Sequence, residues 1–212
     1  MPIMTMNDKA ILFVHIPKCG GSSFERQMNQ RGWREHLSVR GISADKLSFL
    51  KCSPQHLHAE LLLTLVNPAG FDDIVTLVRE PLARLRSEYT WQLFQGMTSL
   101  KPEDWIEHVF DSYGANNFIY DNHIRPQCEF LIEGSRLFKL EQQGVDKAVA
   151  SVAGNKVEGR KNILKQFLSK NNKVAKATVK SDEVLQAFEN RKNQIYEFYD
   201  KDYKELGYTK SP

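Results

Sequence analysis

The chain has 212 residues, of which 41% are hydrophobic and 26% are charged, as expected for a globular protein with one domain. The formal net charge of +3 is too small to indicate a nucleic-acid-binding protein by itself. No run of about 18 apolar residues occurs, so we expect no integral membrane segment.

The cysteines and the N-terminus indicate the compartment. Cys19, Cys52 and Cys128 are odd in number and far apart, which favours a reducing compartment over a disulfide framework and matches no zinc-ligand spacing. The first apolar stretch has no basic segment before it and is only as long as a strand, which is not typical of a signal peptide. We therefore expect a cytoplasmic protein.

Buried strands alternate with helices along most of the chain. Residues 10–16, AILFVHI, form a continuous apolar run typical of a buried parallel strand. A helix follows toward Arg31, with Ser22 or Ser23 as its N-cap. Similar signals predict strands at 47–52, 73–79 and 136–141, and helices at 57–66, 81–94, 103–112 and 143–152. This alternation predicts an α/β fold with three layers, P-loop-like, in which helices flank a central parallel sheet.

The composition changes in the last third of the chain. Residues 151–180 carry eight Lys and Arg against one acidic residue, Glu158, a net charge of 8 − 1 = +7. This favours a solvated, partly mobile insertion; the alternative is a segment that attracts an acidic acceptor. An amphipathic helix is predicted at 181–206, with Gly207 just past its end. We expect a single domain over residues 1–212.

The sequence after the first strand, HIPKCGGSS, predicts an anion-binding loop. Gly20 and Gly21 let the backbone approach an anion closely, and the following helix adds free N–H groups and a positive dipole end. Lys18 adds a full charge, while Ser22 and Ser23 add hydroxyl donors. Charge-assisted hydrogen bonds of about 1.5–3 kcal/mol each would together hold a doubly charged ligand.

This loop is not a Walker A motif, because that pattern places its lysine after the glycines and here Lys18 precedes them. Taken alone, the loop has a simpler interpretation, a tight Gly-Gly turn beside an exposed lysine. A further basic residue elsewhere in the chain favours the anion-binding interpretation.

Arg79 ends a second buried strand, at the sheet edge where open α/β sheets bind ligands. Pro81 begins the next helix, and Ser87 lies about two turns along it, within reach of the same anion. We interpret Arg84 and Arg86 as a solvated face of that helix.

The two elements together resemble one enzyme family. H-x-P-K-x-G-G-[ST]-[ST] after one strand and R-x-P-x-x-R-x-x-S-x-Y after another are similar to motifs of carbohydrate sulfotransferases that use 3′-phosphoadenosine 5′-phosphosulfate (PAPS). That family includes the uronyl 2-O- and chondroitin-type enzymes and bacterial relatives. Residues 123–127, 136–141 and 199–208 resemble later stretches of the family in the same order. The sequence departs from the pattern at Cys19 and Glu80, where relatives usually carry Thr and Asn.

The resemblance implies a reaction and a binding site. The sulfuryl group of PAPS would pass in line to a hydroxyl of a carbohydrate or glycoside acceptor, and 3′,5′-ADP would be released. Lys18 would stabilise the bridging oxygen, so we expect no metal. The implied cosubstrate-binding residues are Pro17, Lys18, Cys19, Gly20, Gly21, Ser22 and Ser23 for the 5′-phosphosulfate, with Arg79 and Ser87 for the 3′-phosphate.

An acceptor alcohol needs a base within hydrogen-bond reach, and histidine is the usual choice near neutral pH. The stretch SPQHLHAE resembles the histidine motif of the family and makes His56 the first candidate, with His58 second. Glu60 would orient either ring or act as the base itself. The alternative is a helix cap without catalytic function. His15 is expected to pack beneath the loop, and His123 to touch substrate or brace the site.

Two other functions remain open from the sequence. A small-molecule kinase of the P-loop type shares the strand, loop and helix, but it needs a different lysine position and a carboxylate for Mg²⁺. A non-catalytic module of the same fold would bind the nucleotide and transfer nothing. We expect no nucleic-acid partner, and the oligomeric state cannot be read from the sequence.

Overall fold

The computed structural model of the chain describes residues 2–39, 42, 46, 49–154 and 181–210. Residues 155–180 of the predicted basic insertion at 151–180 lie outside these ranges. Across the described ranges, no helix is long and apolar enough to cross a membrane.

The core of the fold is a mixed five-stranded sheet with the order β3-β1-β2-β4-β5. Strands β2, β4 and β5 are parallel, whereas β1 pairs antiparallel with both β2 and β3. The five strands are β1 (Ile3–Met6), β2 (Lys9–Val14), β3 (Arg34–His36), β4 (Asp73–Val78) and β5 (Arg136–Lys139). The parallel half of the sheet therefore lies at one side and an antiparallel hairpin at the other.

The two central strands are buried on both faces. Every residue of 11–14 in β2 and of 74–78 in β4 is buried, although neighbouring side chains of a strand point to opposite faces. Continuous apolar runs are the sequence signature of such strands. The predicted α/β fold, with a mostly parallel central sheet flanked by helices, is confirmed.

Helices follow the strands in the predicted alternation. They are α1 (Gly21–Asn29), α2 (Ala59–Leu65), α3 (Pro81–Gln95), α4 (Pro102–Ala115), α5 (Gly144–Ala153), α6 (Ser181–Asn190), α7 (Lys192–Phe198) and α8 (Asp200–Glu205). Helix α5 packs against α1 and against strands β4 and β5. Each parallel strand thus ends at a loop that leads into a helix or a helical turn, and these loops meet at one edge of the sheet.

Two predicted elements differ from the structure, and two strands of the structure were not predicted. Residues 49–52 form turns and bends instead of the end of a strand, and the antiparallel strands β1 and β3 were not predicted. The single helix predicted at 181–206 is three helices, interrupted at Arg191 and Tyr199. The Tyr199 side chain is fully buried and donates to the Ile124 carbonyl at 2.8 Å, so tertiary packing fixes the second break.

A second apolar cluster lies among the helices. The indole of Trp105 and the ring of Tyr89 are fully buried in it, with their ring centres 5.2 Å apart. Residues from the C-terminal helices complete the cluster, among them Phe188, Ile195, Tyr199 and Tyr203. The C-terminal helices are therefore part of the core that supports α3.

Arg84 corrects one prediction from the sequence. Its side chain is 1% exposed, so it does not belong to a solvated helix face. The guanidinium donates to the carbonyls of Pro17 at 3.0 Å, Arg125 at 2.9 Å and His123 at 2.9 Å. Arg84 therefore joins α3 to the loop after β2 and to the segment 123–125. Arg86, in contrast, is only half-buried.

We expect Arg84→Met to lower the free energy of unfolding by about 3 kcal/mol or more, because three buried carbonyl groups would lose their donor. Urea unfolding followed by circular dichroism measures this change. Arg86→Met on the same helix is the matched control, with an expected change within about 0.5 kcal/mol. Equal stability of the two variants would contradict the role given to Arg84.

Candidate active site

The loop after β2 forms a compact turn that leads directly into α1. Gly20 is the N-cap of the helix, with φ 93° and ψ 7°, and Lys18 also has a positive φ of 67°. The prediction that Ser22 or Ser23 caps the helix is wrong, because both lie inside its first turn. Their hydroxyl groups therefore lie beside the free N–H groups of the helix start.

The two glycines are needed for different reasons. Gly20 has a left-handed conformation that side chains rarely adopt. A Cβ atom on Gly21 would lie 2.4 Å from Nε2 of His15, which is closer than any real contact. The His15 ring is buried beneath the loop, and its Nδ1 lies 2.6 Å from the Glu25 carboxylate. The imidazole therefore supports the loop from below and cannot easily move away.

Pro17 and Cys19 hold the loop from the inner side. The Pro17 carbonyl accepts from Arg84, as described above. The Cys19 side chain is fully buried, and its thiol donates to Oε1 of Gln127 at 3.2 Å. Burial raises the pKa of the Cys19 thiol to about 12, so it stays protonated. Neither side chain is exposed toward a ligand, and both shape the loop.

Arg79 lies at the end of β4, next to this loop. Its guanidinium donates to the Lys18 carbonyl at 3.3 Å. The side-chain amide of Gln127 pairs with the Arg79 backbone, accepting from its N–H at 2.9 Å and donating to its carbonyl at 2.7 Å. The structure therefore brings the two predicted basic strand ends together. Ser87 is half-buried on α3, and no hydrogen bond to its hydroxyl is seen within the described part of the chain.

Lys18 contributes a half-buried cation to the loop. Its Nζ atom lies 4.9 Å from the centre of the Trp91 ring, in the geometry of a cation–π contact. Burial lowers the pKa of Lys18 to about 8; the Glu88 carboxylate opposes this effect, and Arg79 and Arg84 add to it. A bound anion would restore the ammonium form, because negative charge nearby favours it.

Three histidines form a row beside the two basic residues. The His56 ring lies between those of His15 and His123, with ring centres 5.0 Å apart in each pair. The Trp91 ring continues the row at 5.2 Å from that of His123.

Each histidine of the row is paired through Nδ1 with a carboxylate. These contacts are His15 with Glu25 at 2.6 Å, His56 with Asp121 at 2.7 Å and His123 with Glu88 at 2.7 Å. A neutral imidazole that donates through Nδ1 keeps the lone pair of Nε2 available as an acceptor. With Nδ1 of His56 held by Asp121, its Nε2 is the ring nitrogen that remains to accept a hydrogen bond, whereas Nε2 of His15 lies against Gly21.

The comparisons with known proteins agree with this geometry. A family model described as "Sulfotransferase family" matches residues 1–209. The chain belongs to the sulfotransferase family. Neither the search of curated proteins nor the search of solved structures gives a match. Family membership supports sulfuryl transfer as the class of reaction.

The other two base candidates of this sulfotransferase lie apart from the row. His58 is buried with its ring against Phe118, at 5.6 Å between ring centres. Its Nε2 lies 3.8 Å from the carboxylate of Glu60, whose side chain is 89% exposed. Burial lowers the pKa of His58. Within the described residues, no ring contact or hydrogen bond joins His58 or Glu60 to Lys18, Arg79 or His56.

The segment 123–127 of the sulfotransferase is held along its length by buried donors and acceptors. Arg84 and Tyr199 bond to its carbonyls, as described above. Asp202 accepts from the backbone N–H of Gln127 at 2.8 Å and of Cys128 at 2.9 Å. This frame fixes His123 and places the Gln127 amide against Arg79.

Glu88 and Asp121 are site residues that the sequence reasoning missed. Glu88 is fully buried, and burial raises its pKa, but His123 and Lys18 outweigh that effect and lower it. Asp121 lies in the single turn Ile119–Asn122, where Tyr120, Asp121 and Asn122 have positive φ angles of 48°, 58° and 64°. Such residues cost roughly 1–2 kcal/mol each, so the surroundings must hold the turn.

No metal site is predicted from the sequence, yet three side chains of types that bind metal ions lie close together. Ligand atoms of His56, Asp121 and His123 lie within 4.8 Å of one another. Both carboxylate oxygens of Asp121 already accept hydrogen bonds, from the Ser53 N–H and from His56. The cluster is therefore a hydrogen-bonded pair of His56 and Asp121 with the imidazole of His123 beside it.

Proposed function

We propose that this sulfotransferase moves the sulfuryl group of PAPS to a hydroxyl of a carbohydrate or glycoside acceptor and releases 3′,5′-ADP. One observation carries the proposal: the Arg79 guanidinium donates to the Lys18 carbonyl at 3.3 Å, so two basic strand ends form one cationic site. A nucleotide with phosphate groups at both its 3′ and 5′ ends suits such a site. The carbohydrate class of the acceptor rests on the resemblance of the motifs.

The two halves of the site would bind the two ends of the nucleotide. The free N–H groups at the start of α1, the Ser22 and Ser23 hydroxyl groups and the Lys18 ammonium would hold the 5′-phosphosulfate. Arg79 and Ser87 would hold the 3′-phosphate. Pro17 and Cys19 would act through the shape of the loop, because their side chains are buried.

The transfer step needs a base and a group that stabilises the leaving phosphate. The acceptor oxygen attacks the sulfur atom as the bond between sulfur and the 5′-phosphate oxygen breaks. Lys18 stabilises the negative charge that develops on that oxygen. His56 takes the hydroxyl proton on Nε2, because its Nδ1 is engaged by Asp121 at 2.7 Å. No step in this scheme uses a metal ion.

The proposed location rests on the cysteines, and the proposed acceptor rests on the motifs. Cys19, Cys52 and Cys128 are odd in number and far apart in the sequence, which favours a reducing compartment. We therefore place the enzyme in the cytoplasm. An acceptor there would be a glycan precursor, a glycolipid or a small glycoside.

The direct test is incubation with labelled PAPS and a panel of glycosides, aliphatic alcohols and phenols, read by mass spectrometry. We expect sulfated glycoside from PAPS, no phosphate transfer from ATP, and equal rates with and without EDTA. His56→Ala should lower kcat by about 10²–10⁴-fold with little change in affinity for 3′,5′-ADP. His36→Asn, at an exposed histidine of β3, is the matched control and should behave like the wild type.

Two outcomes would contradict the proposal. Metal-dependent transfer of phosphate from ATP would instead support a kinase. Tight binding of 3′,5′-ADP without transfer to any acceptor, and without an effect of His56→Ala, would support a non-catalytic nucleotide-binding module.

The lowered pKa of Lys18 gives a second test. Because the Lys18 ammonium of the ligand-free enzyme loses its proton near pH 8, the affinity for 3′,5′-ADP should fall by roughly tenfold or more between pH 7.5 and pH 9.5. Titration calorimetry measures this slope. In Lys18→Arg the cation persists over the whole range, so the slope should disappear. The same slope in both proteins would show that another group titrates.

A further inference from the structure

The turn that carries Asp121 is the strained segment of the described chain that lies closest to the proposed base. Its three consecutive residues, Tyr120, Asp121 and Asn122, all have left-handed backbone angles. Strain of this kind persists only where neighbouring groups hold it, and it concentrates at functional sites. Asp and Asn tolerate this conformation better than most residues, whereas Tyr does not share that tolerance.

Hydrogen bonds tie the turn to the segment that carries His56. Asp121 accepts from the Ser53 N–H through one oxygen and from His56 Nδ1, at 2.7 Å, through the other. The Asn122 amide donates to the His56 carbonyl at 2.9 Å and accepts from Arg125 Nε at 3.0 Å. The turn therefore fixes both the backbone and the ring of His56.

We propose that Asp121 is the positioning residue of the base, holding His56 with the proton on Nδ1 and the lone pair on Nε2 toward the acceptor. The inference rests on the proposed role of His56 in sulfuryl transfer. An ionised carboxylate can only accept hydrogen bonds, so its partner nitrogen must be the donor. Asp121 would also stabilise the imidazolium that forms when the acceptor proton arrives.

The charges around the pair are consistent with this role. Burial raises the pKa of Asp121, but the bonds from His56 and Ser53 outweigh it and lower the pKa to about 2. Burial lowers the pKa of His56 to about 3 against the effect of Asp121, with His123 and His15 as the other titratable groups that face the ring. Near neutral pH the carboxylate is therefore charged and the imidazole is neutral.

The other two histidine–carboxylate pairs take their carboxylate from a regular helix. Glu25 lies on α1 and Glu88 on α3, both in regular helices where their placement requires no unusual backbone. Asp121 alone, among these three acids, depends on a left-handed turn. Its side chain is also the most accessible of the three, at 37% exposed. The strained turn thus supplies the carboxylate that holds His56, the histidine in the middle of the row.

The test compares Asp121→Asn with Asn122→Gly in the full chain. An Asn side chain can donate to Nδ1 and so allow the other tautomer, and we expect kcat to fall by about 10²–10⁴-fold with the KM values and the 3′,5′-ADP affinity within about twofold. Nitrogen-15 NMR of the histidines should show the Nδ1–H form of His56 in the wild type and its loss in Asp121→Asn. Asn122→Gly removes a bond to the His56 backbone but leaves the carboxylate, so the tautomer should persist and kcat should fall less than about tenfold.

If Asp121→Asn does not fold, Asp121→Gly tests the same inference. Asp121→Gly removes the carboxylate at a position whose positive φ suits glycine, so the turn should keep its shape. Added formate should raise the kcat of Asp121→Gly by about tenfold and leave His56→Ala unchanged.

The outcomes separate the inference from the proposed function. A wild type that transfers nothing from PAPS would overturn the function of the protein and with it the base. A wild type that transfers the sulfuryl group, while Asp121→Asn keeps kcat within about threefold or formate fails to rescue Asp121→Gly, would overturn the inference alone.

Discussion

The buried guanidinium of Arg84 joins the parts of the active site to one another. It donates to the carbonyls of Pro17, His123 and Arg125, and so connects the loop after β2, the segment 123–125 and α3. A buried charge is costly unless polar partners surround it, and three carbonyl groups meet that need here. If this side chain were lost, the two loops would no longer share a common support.

The same arrangement places several cations together in a partly buried space. Arg79 and Arg84 both lower the pKa of Lys18, and Glu88 is the carboxylate that opposes them. An anion bound among these cations would relieve their repulsion. Beside them lies the row of His15, His56 and His123, in which each ring is paired with a carboxylate.

The sequence predicts the parts of the fold that depend on local signals. Apolar runs predict the strands β2 and β4, and Gly20 and Gly21 predict the tight turn between β2 and α1. The Asn7-Asp8 pair joins β1 to β2 as a two-residue hairpin loop, but it lacks the glycine that marks such turns in a sequence. Arg84 was misjudged because a polar residue on a helix is normally solvated, whereas Arg84, Glu88 and Gln92 lie buried on one face of α3. The carbonyl partners of Arg84 and the partner of Glu88, His123, come from distant positions in the chain, as does Asp121, the partner of His56, and no local pattern predicts such pairs.

We propose that the two strand ends form one site for a nucleotide with phosphate groups at both ends. Calorimetric affinities of 3′,5′-ADP and 5′-AMP for the wild type and for Arg79→Met test this proposal. The wild type should bind 3′,5′-ADP about 10–100-fold more tightly than 5′-AMP, and Arg79→Met should remove most of this difference. Equal affinity of the wild type for both nucleotides, or an equal loss for both in Arg79→Met, would contradict it.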